Sequence, residues 1–484
     1  MKQKSVAKNG FYKAILNIFN LLVPLIIGPY ITGLLSKDLY ASYNKIFAEF
    51  SIFLVIGAFG IYNYGLREIS RVRDNPEKRD KLFTSLFLTG IISNIVMVII
   101  YVAYAFLRSE SKIELFLYFT MIIQIVAQVF YIEFVNEANE DYVFITKKTI
   151  IVRTLYLISI LVFVRKPEDI LPYSIVVSMT VLLNNIISYF YIKRTVRFNF
   201  KGVKIKHHFI PLFVAFLIAN VEILYTQLDK VMLGNFVSDI SVTEYTLPTT
   251  LVGMIAAVPL ALISVVIPRL SSYIGSNDKE QYKELLNKTI NNYMLIVIPM
   301  SIGMSALAIE IMEFYSKGKY TYIYPVLIAA GFARIIYGFQ SIVINLVMYL
   351  NSMEKPLTLF LLVFGILNAI FNTTLLILGK LTPVSALVTT ALSVLLFTTF
   401  SYFYTKAKVH VEYKLLTKRI IGYLTVSLTF FPIATYIRGL GLSMWPTIFI
   451  VMAICATIYV VYLVVSKDTF VLEAYDIVKR KIKK

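Results

Sequence analysis

Charge, cysteine, histidine and tryptophan are all scarce in this chain of 484 residues: 15% are charged, and there are three histidines, one cysteine and one tryptophan. A soluble domain carries about 25% charged residues, so the composition excludes an ordinary water-soluble fold. The lone Cys455, inside a late apolar run, excludes an intrachain disulfide and offers no metal spacing. His207, His208 and His410 all sit in basic segments, where solvated histidines are the expected state. No metal and no cofactor are expected. Also missing are a G-x-x-x-x-G-K-[ST] phosphate loop and any polar segment long enough for a soluble domain, so transport driven by nucleotide hydrolysis on this chain is excluded. The short segments 36–40, 108–112 and 316–321 hold neither histidine nor paired carboxylates, which argues against an enzyme.

What is abundant is apolar: 58% hydrophobic residues, with 34 tyrosines and 35 phenylalanines, and a mean hydropathy of +0.74. Runs of about 20 apolar residues separated by polar breaks give about fourteen expected spans. They fall at 13–35, 41–63, 82–107, 113–135, 150–166, 171–192, 209–230, 244–267, 290–315, 322–350, 357–379, 383–404, 420–438 and 446–466. The fifth is short. The first run is too long for a cleaved signal and ends without an A-x-A site, so it is expected to remain as an anchor. With both termini cytoplasmic, the inner segments hold about 34 Lys and Arg against about 11 on the outer side, the bias that fixes orientation. The net charge of +19 then reflects topology and attraction to the inner leaflet, not nucleic-acid binding. Tyr101, Tyr104, Tyr402 and Tyr404, near span ends, fit interfacial belts.

The chain also repeats itself weakly. A shift of 202 residues superimposes Ser36, Tyr43, Ile61, Arg67 and Ser70 on Ser238, Tyr245, Ile263, Arg269 and Ser272. In both copies a tyrosine opens an inward-running span and an arginine closes it. The expected fold is an all-α integral membrane protein of about 14 transmembrane helices. It has two pseudo-symmetric six-helix lobes, 1–208 and 209–419, and two further helices with a basic tail at 420–484.

Three stretches carry a resemblance: Tyr64-Gly-Leu-Arg-Glu-Ile69, Leu228-Asp-Lys-Val-Met-Leu-Gly234 and Pro268-Arg-Leu-Ser271. With them the chain resembles Wzx-like repeat-unit flippases of polysaccharide biosynthesis, within the multidrug/oligosaccharidyl-lipid/polysaccharide exporter superfamily. The resemblance runs from Asn9-Gly-Phe-Tyr12 to about residue 410. One departure is Asn136-Glu-Ala-Asn-Glu-Asp141, where many relatives have a Gln-Gly-x-Glu pattern; the role of that segment stays open. The resemblance implies movement of an undecaprenyl-pyrophosphate-linked oligosaccharide from the inner to the outer leaflet of a bacterial plasma membrane, for capsule or exopolysaccharide synthesis. The implied partners are the lipid-linked substrate, membrane lipids and a polysaccharide polymerase. Lipid II or a teichoic-acid unit as cargo, and a drug/ion antiporter of the same superfamily, are the alternatives.

Such a cargo needs a cationic, hydrated groove. Arg334 and Arg153 are the candidates for its pyrophosphate, because a mid-membrane arginine costs about 2.5–3.5 kcal/mol on insertion scales and guanidinium grips phosphate with two prongs. Ser341 and Asn345 follow Arg334 on one face, while Asn368 with Asn372, and Asn184 with Ser188, are i, i+4 polar pairs that line the groove or knit helices together. Glu222, Thr226 and Asp229 share a face of the seventh span. Glu222 and Asp229 hold a coupling proton or sodium ion, or counter Lys230 and the arginines. Lys45 and Glu49, at i, i+4, fit a self-neutralising pair, with ion coupling as the other reading. Arg67 and Arg269 are expected as inner anchors and gate residues. Pro24, Gly28 and Pro29, with Asn17 and Asn20 beside them, invite a bend in the first helix.

Overall fold

The computed structural model describes residues 6–201, 203, 205–409, 411–468 and 470, with no side-chain description at 6–11, 13–14, 17–18, 214, 217–226, 257–258, 261–262 and 264. Asn17, Glu222, Thr226 and His410, singled out above, therefore lie outside the described side chains.

All regular structure is helical among the described residues. The order is α1 (Val6–Leu34), α2 (Lys37–Ala58), α3 (Ile61–Val72), α4 (Pro76–Arg108), α5 (Lys112–Val129), α6 (Glu133–Ala138), α7 (Tyr142–Phe163), α8 (Ile170–Ile192), α9 (Ile205–Phe236) and α10 (Asp239–Gly275). It continues with α11 (Lys279–Ala306), α12 (Ala308–Ser316), α13 (Tyr324–Ile342), which runs on as a π-helical turn (Val343–Met348), then α14 (Glu354–Ile377), α15 (Pro383–Val409), α16 (Lys418–Leu428), α17 (Phe430–Gly439) and α18 (Met444–Val465). Nine helical segments of the described residues are long and apolar enough to cross a membrane, or ten if α11 and α12, bent by 72°, form one span. This makes the chain a multi-pass membrane protein. By that measure α7 fails for its charge: Lys147, Lys148 and Arg153 share its 22 residues.

Helix ends and breaks follow local chemistry. Ser36 and Ser238, equivalent in the repeat, do the same local job: each side-chain oxygen accepts a backbone N–H three residues on, at the start of α2 and of α10. The expected bend in α1 is not a break, since Pro24 and Pro29 lie inside one continuous helix, with Thr32 Oγ1 donating to Gly28 O at 2.8 Å. The breaks occur elsewhere. Between α2 and α3 both Phe59 and Gly60 have positive φ, and a Cβ at Gly60 would lie 2.5 Å from Phe216 N and 2.6 Å from Leu212 O of α9. Only glycine permits that conformation together with that approach.

Contacts divide the chain into two compact units, Met1–Thr243 and Glu244–Lys484, the division falling inside α10. The lobe boundary read from sequence was 208/209; in the structure α9 packs on α2, α3 and α4. Among the described residues the first unit shows two apolar cores. One, with Tyr43, Phe50, Tyr101, Tyr118 and Met121, surrounds the loop-side ends of α2, α4 and α5. The other, with Ile69, Phe83, Leu86, Phe134 and Leu212, surrounds α3 and α6. Among the described residues the second unit has a core built on α11 through Tyr293, Met294, Ile298 and Ile302. There α11 and α13 touch at Gly331, where a Cβ would meet Ser305 Oγ at 2.0 Å and Ser301 O at 2.8 Å. Gly331→Ala is therefore expected to cost about 1–3 kcal/mol by overpacking and to lower the thermal unfolding midpoint of the detergent-purified protein; an unchanged midpoint would show that the two helices separate freely.

Candidate functional site

The first unit holds a cavity of about 360 Å³. Four helices supply its polar wall at helical spacing. Gln124 and Gln128 of α5 are i, i+4; Thr149, Val152 and Arg153 of α7 are i, i+3, i+4; Thr180, Asn184 and Asn185 come from α8; Asn20 comes from α1, and Tyr131 from the turn after α5. Arg153 is the one charged residue in this lining among the described residues. The wall is partly fixed by hydrogen bonds: Gln124 Nε2 donates to Ser178 Oγ at 3.0 Å, Asn185 Nδ2 to Ala127 O at 2.9 Å and Asn184 Nδ2 to Asn185 Oδ1 at 3.2 Å. Gln128 Oε1 is buried with no partner. An amide-lined chamber with one guanidinium and an unused acceptor suits a hydroxyl-rich, anionic ligand.

Arg153 sits further along its helix than the span expected from the sequence places it. The span expected at 150–166 is a helix from Tyr142 to Phe163, so Arg153 lies eleven residues in, or about 16 Å along the axis, instead of four. Lys147 and Lys148, outside the expected span, belong to the helix. Lys148 is buried: its Nζ donates to Glu133 Oε2 at 2.7 Å and to Ser188 Oγ at 2.7 Å, and Ser188 Oγ also bonds Glu133 Oε2. This network lies one turn from Asn185 and next to Thr149. It uses the segment whose role stayed open: Glu133 and Asn136 lie in α6, with Asn136 Nδ2 donating to Glu133 Oε1 at 3.5 Å. Beyond them Arg73 Nη1 donates to Glu140 Oε1 at 3.1 Å and Tyr191 to Asp141 Oδ2 at 2.9 Å.

The pairing expected between Lys45 and Glu49 is corrected. Lys45 Nζ sits 2.8 Å from Asp239 Oδ1 at the start of α10. Glu49, 2% exposed, accepts from Tyr118 at 2.6 Å and from Arg108 Nη2 at 3.4 Å, and Arg108 also bonds Asn235. Other helices offered both groups closer partners than each other, which an i, i+4 spacing cannot foretell. Asp229 is fully buried and Lys230 half-buried on α9. Arg67 is 60% exposed and bonds Glu68 at 2.8 Å; Arg269 is exposed.

In the second unit Arg334, Tyr337, Ser341 and Asn345 form a half-buried stripe along α13 and its π-helical turn. The Arg334 guanidinium lies 5.8 Å from the Tyr337 ring centre, and its Nε is buried without a partner. Asn345 Nδ2 donates to Ser341 O at 2.8 Å. π-Helical turns often mark functional positions. Asn368 and Asn372 are fully buried and accept from Thr390 Oγ1 at 3.3 Å and Thr389 Oγ1 at 2.5 Å across the α14–α15 contact. That is the geometry of helix knitting. Sequence reasoning missed Gln124, Gln128, Tyr131, Thr149, Thr180 and Asn185; two glutamines at i, i+4 inside an apolar span were the available signal.

Residues 6–274 match the family model described as "Polysaccharide biosynthesis protein". Over 205 residues the chain is 25% identical to a probable low-salt glycan biosynthesis flippase, Agl15, of Haloferax volcanii; the match spans 42% of this chain and 42% of that protein's length. A solved structure of the lipid II flippase MurJ in an inward closed conformation superimposes with a TM-score of 0.72 at 17% identity, covering 96% of this chain and all of that one. An inward-facing multidrug resistance MATE family transporter of the MOP superfamily gives 0.61 at 11% identity, covering 82% of this chain and 94% of that one. At these identities the two structures establish a shared fold: an all-helical membrane architecture of the MurJ and MATE type. The relatives are transporters, and enzymatic chemistry has no place in this reading.

Proposed function

Because the chain belongs to the polysaccharide biosynthesis protein family, we propose that it is a flippase carrying an undecaprenyl-pyrophosphate-linked oligosaccharide repeat unit from the inner to the outer leaflet of a bacterial plasma membrane, for capsule or exopolysaccharide synthesis. The observation that carries the proposal is the polar cavity with Arg153 as its one charged lining residue, set inside an apolar helical unit. In lipid-embedded helices an unpaired polar wall is costly, and a glycan with an anionic anchor satisfies both its amides and its guanidinium. Arg153 binds pyrophosphate in the first unit's cavity, Arg334 is a separate pyrophosphate candidate on the second unit, and the cavity's amides and hydroxyls take sugar hydroxyls. Glu222, Asp229 and Lys230 serve ion coupling or counter-charge, with a proton or sodium gradient as the drive, and Arg67 and Arg269 serve the inner gate. With α1, α7, α9 and α10 also crossing, the chain has fourteen spans, two six-helix lobes plus two helices, and both termini cytoplasmic.

The test is reconstitution into vesicles with a fluorescent undecaprenyl-pyrophosphate-linked sugar. Protein-dependent translocation that slows when proton and sodium gradients are collapsed is the expected result; translocation that ignores both gradients would remove the coupling role, and no translocation of any lipid-linked sugar would remove the flippase. The full-length fold likeness to a lipid II flippase supports a second reading, another lipid-linked precursor, which lipid II as cargo in the same vesicles separates from the first.

A further inference from the structure

A second concavity, of about 630 Å³, lies between α7 and α8. Its walls include Leu155, Phe163, Ile175, Met179 and Leu183, and no charged side chain lines it. Leu155, Phe163, Ile175, Met179 and Leu183 are each more than a third exposed, so the groove opens sideways where the surrounding medium is lipid. Val152 and Thr180 line both this groove and the polar cavity. The two spaces therefore share a wall, and α7 serves each with a different stripe. Thr149, Val152 and Arg153 face the cavity, while Val152, Leu155, Ser159 and Phe163 face the groove. The groove stripe is about 16 Å long from Val152 to Phe163.

We propose that the α7–α8 groove holds the polyprenyl chain of the lipid-linked substrate while its anionic head and sugars occupy the adjoining cavity. The inference rests on the flippase reading and deepens it: the chain is gripped by the protein and does not trail free in the bilayer. A chamber lined by amides and one cation, sharing the wall residues Val152 and Thr180 with an uncharged crevice, has the form of a single-chain amphiphile. A crevice between two directly packed helices takes one chain, whereas a phospholipid must place two. The hairpin that forms it is pinned at its far end. Asp169 accepts the backbone N–H groups of Arg165 and Lys166, both at 2.8 Å. Tyr30 donates to Val164 O at 2.7 Å, and the Ser36 N–H to Pro167 O at 3.0 Å. The groove is therefore braced.

The experiment places a photoreactive benzoylphenylalanine at Met179 in the full chain, with Leu155 on the facing helix as a second position and Ile99, an exposed residue of α4, as the control. Each variant is reconstituted with labelled undecaprenyl phosphate in phosphatidylglycerol and phosphatidylethanolamine vesicles. Adducts at Met179 and Leu155 are expected to exceed those at Ile99 by about tenfold, to be lost to excess unlabelled undecaprenyl phosphate and to resist excess phosphatidylglycerol. Equal labelling at Ile99, or equal competition by phosphatidylglycerol, would identify ordinary boundary lipid and overturn the proposal. Selective labelling without glycolipid translocation would leave the groove standing and remove the flippase; translocation without selective labelling would do the reverse.

Discussion

Arg153→Ala is expected to cut lipid-linked glycan translocation by about ten- to a hundredfold. A hydrogen bond to a charged group contributes about 1.5–3 kcal/mol, and each 1.4 kcal/mol is about a factor of ten. Arg153 is the one charged residue in the cavity lining, so no neighbour in that lining replaces it. Arg153→Lys keeps the charge but loses the two-pronged grip and should fall between wild type and alanine. The control on folding is built into the substitution. Under the fourteen-span reading, removing a charge from α7 relieves an insertion cost of about 2.5–3.5 kcal/mol, so the alanine variant should be present at normal levels with an unchanged or higher melting temperature. Full translocation by a well-folded Arg153→Ala protein, measured in the vesicle assay, would remove the residue from the site. Arg334→Ala is the companion measurement, since its buried, unpartnered Nε lacks a structural bond to lose.

Lys148→Ala carries the largest expected stability effect. The substitution leaves Glu133 buried without its cation, and breaking a buried pair from one side costs about 3–5 kcal/mol. The side chains of Lys148 and Glu133 are 2% and 10% exposed, so solvent screens the pair little. The double variant Glu133→Gln, Lys148→Met removes both charges and should cost much less than either single change, because no lone charge remains. The measurement is a double-mutant cycle on thermal unfolding in detergent. Additive effects would show that the two groups do not couple in the folded protein. The ion pair lies beside Thr149 and Asn185 of the cavity wall, so its loss should also slow translocation by the folded fraction.

Sequence alone determined the class of this protein. Low charge and long apolar runs are sums over many residues, and such sums survive errors at single positions. The capping bonds of Ser36 and Ser238, at the starts of α2 and α10, are local and reach only three residues along the chain. Which polar residues meet was decided only by tertiary structure. Lys45 and Glu49 look like partners at i, i+4, yet Asp239 lies 194 positions from Lys45 and Tyr118 lies 69 positions from Glu49, and these take their bonds. Lys148 reads as a loop charge until α6 and α8 bring Glu133 and Ser188 to it. The cavity belongs to the same category. Gln124, Arg153 and Asn184 stand in three separate apolar runs, and only the packing of α5, α7 and α8 makes them one wall. Burial in a membrane protein depends on a residue's neighbours across helices, and those neighbours are set by how helices pack, which pattern along one chain does not encode.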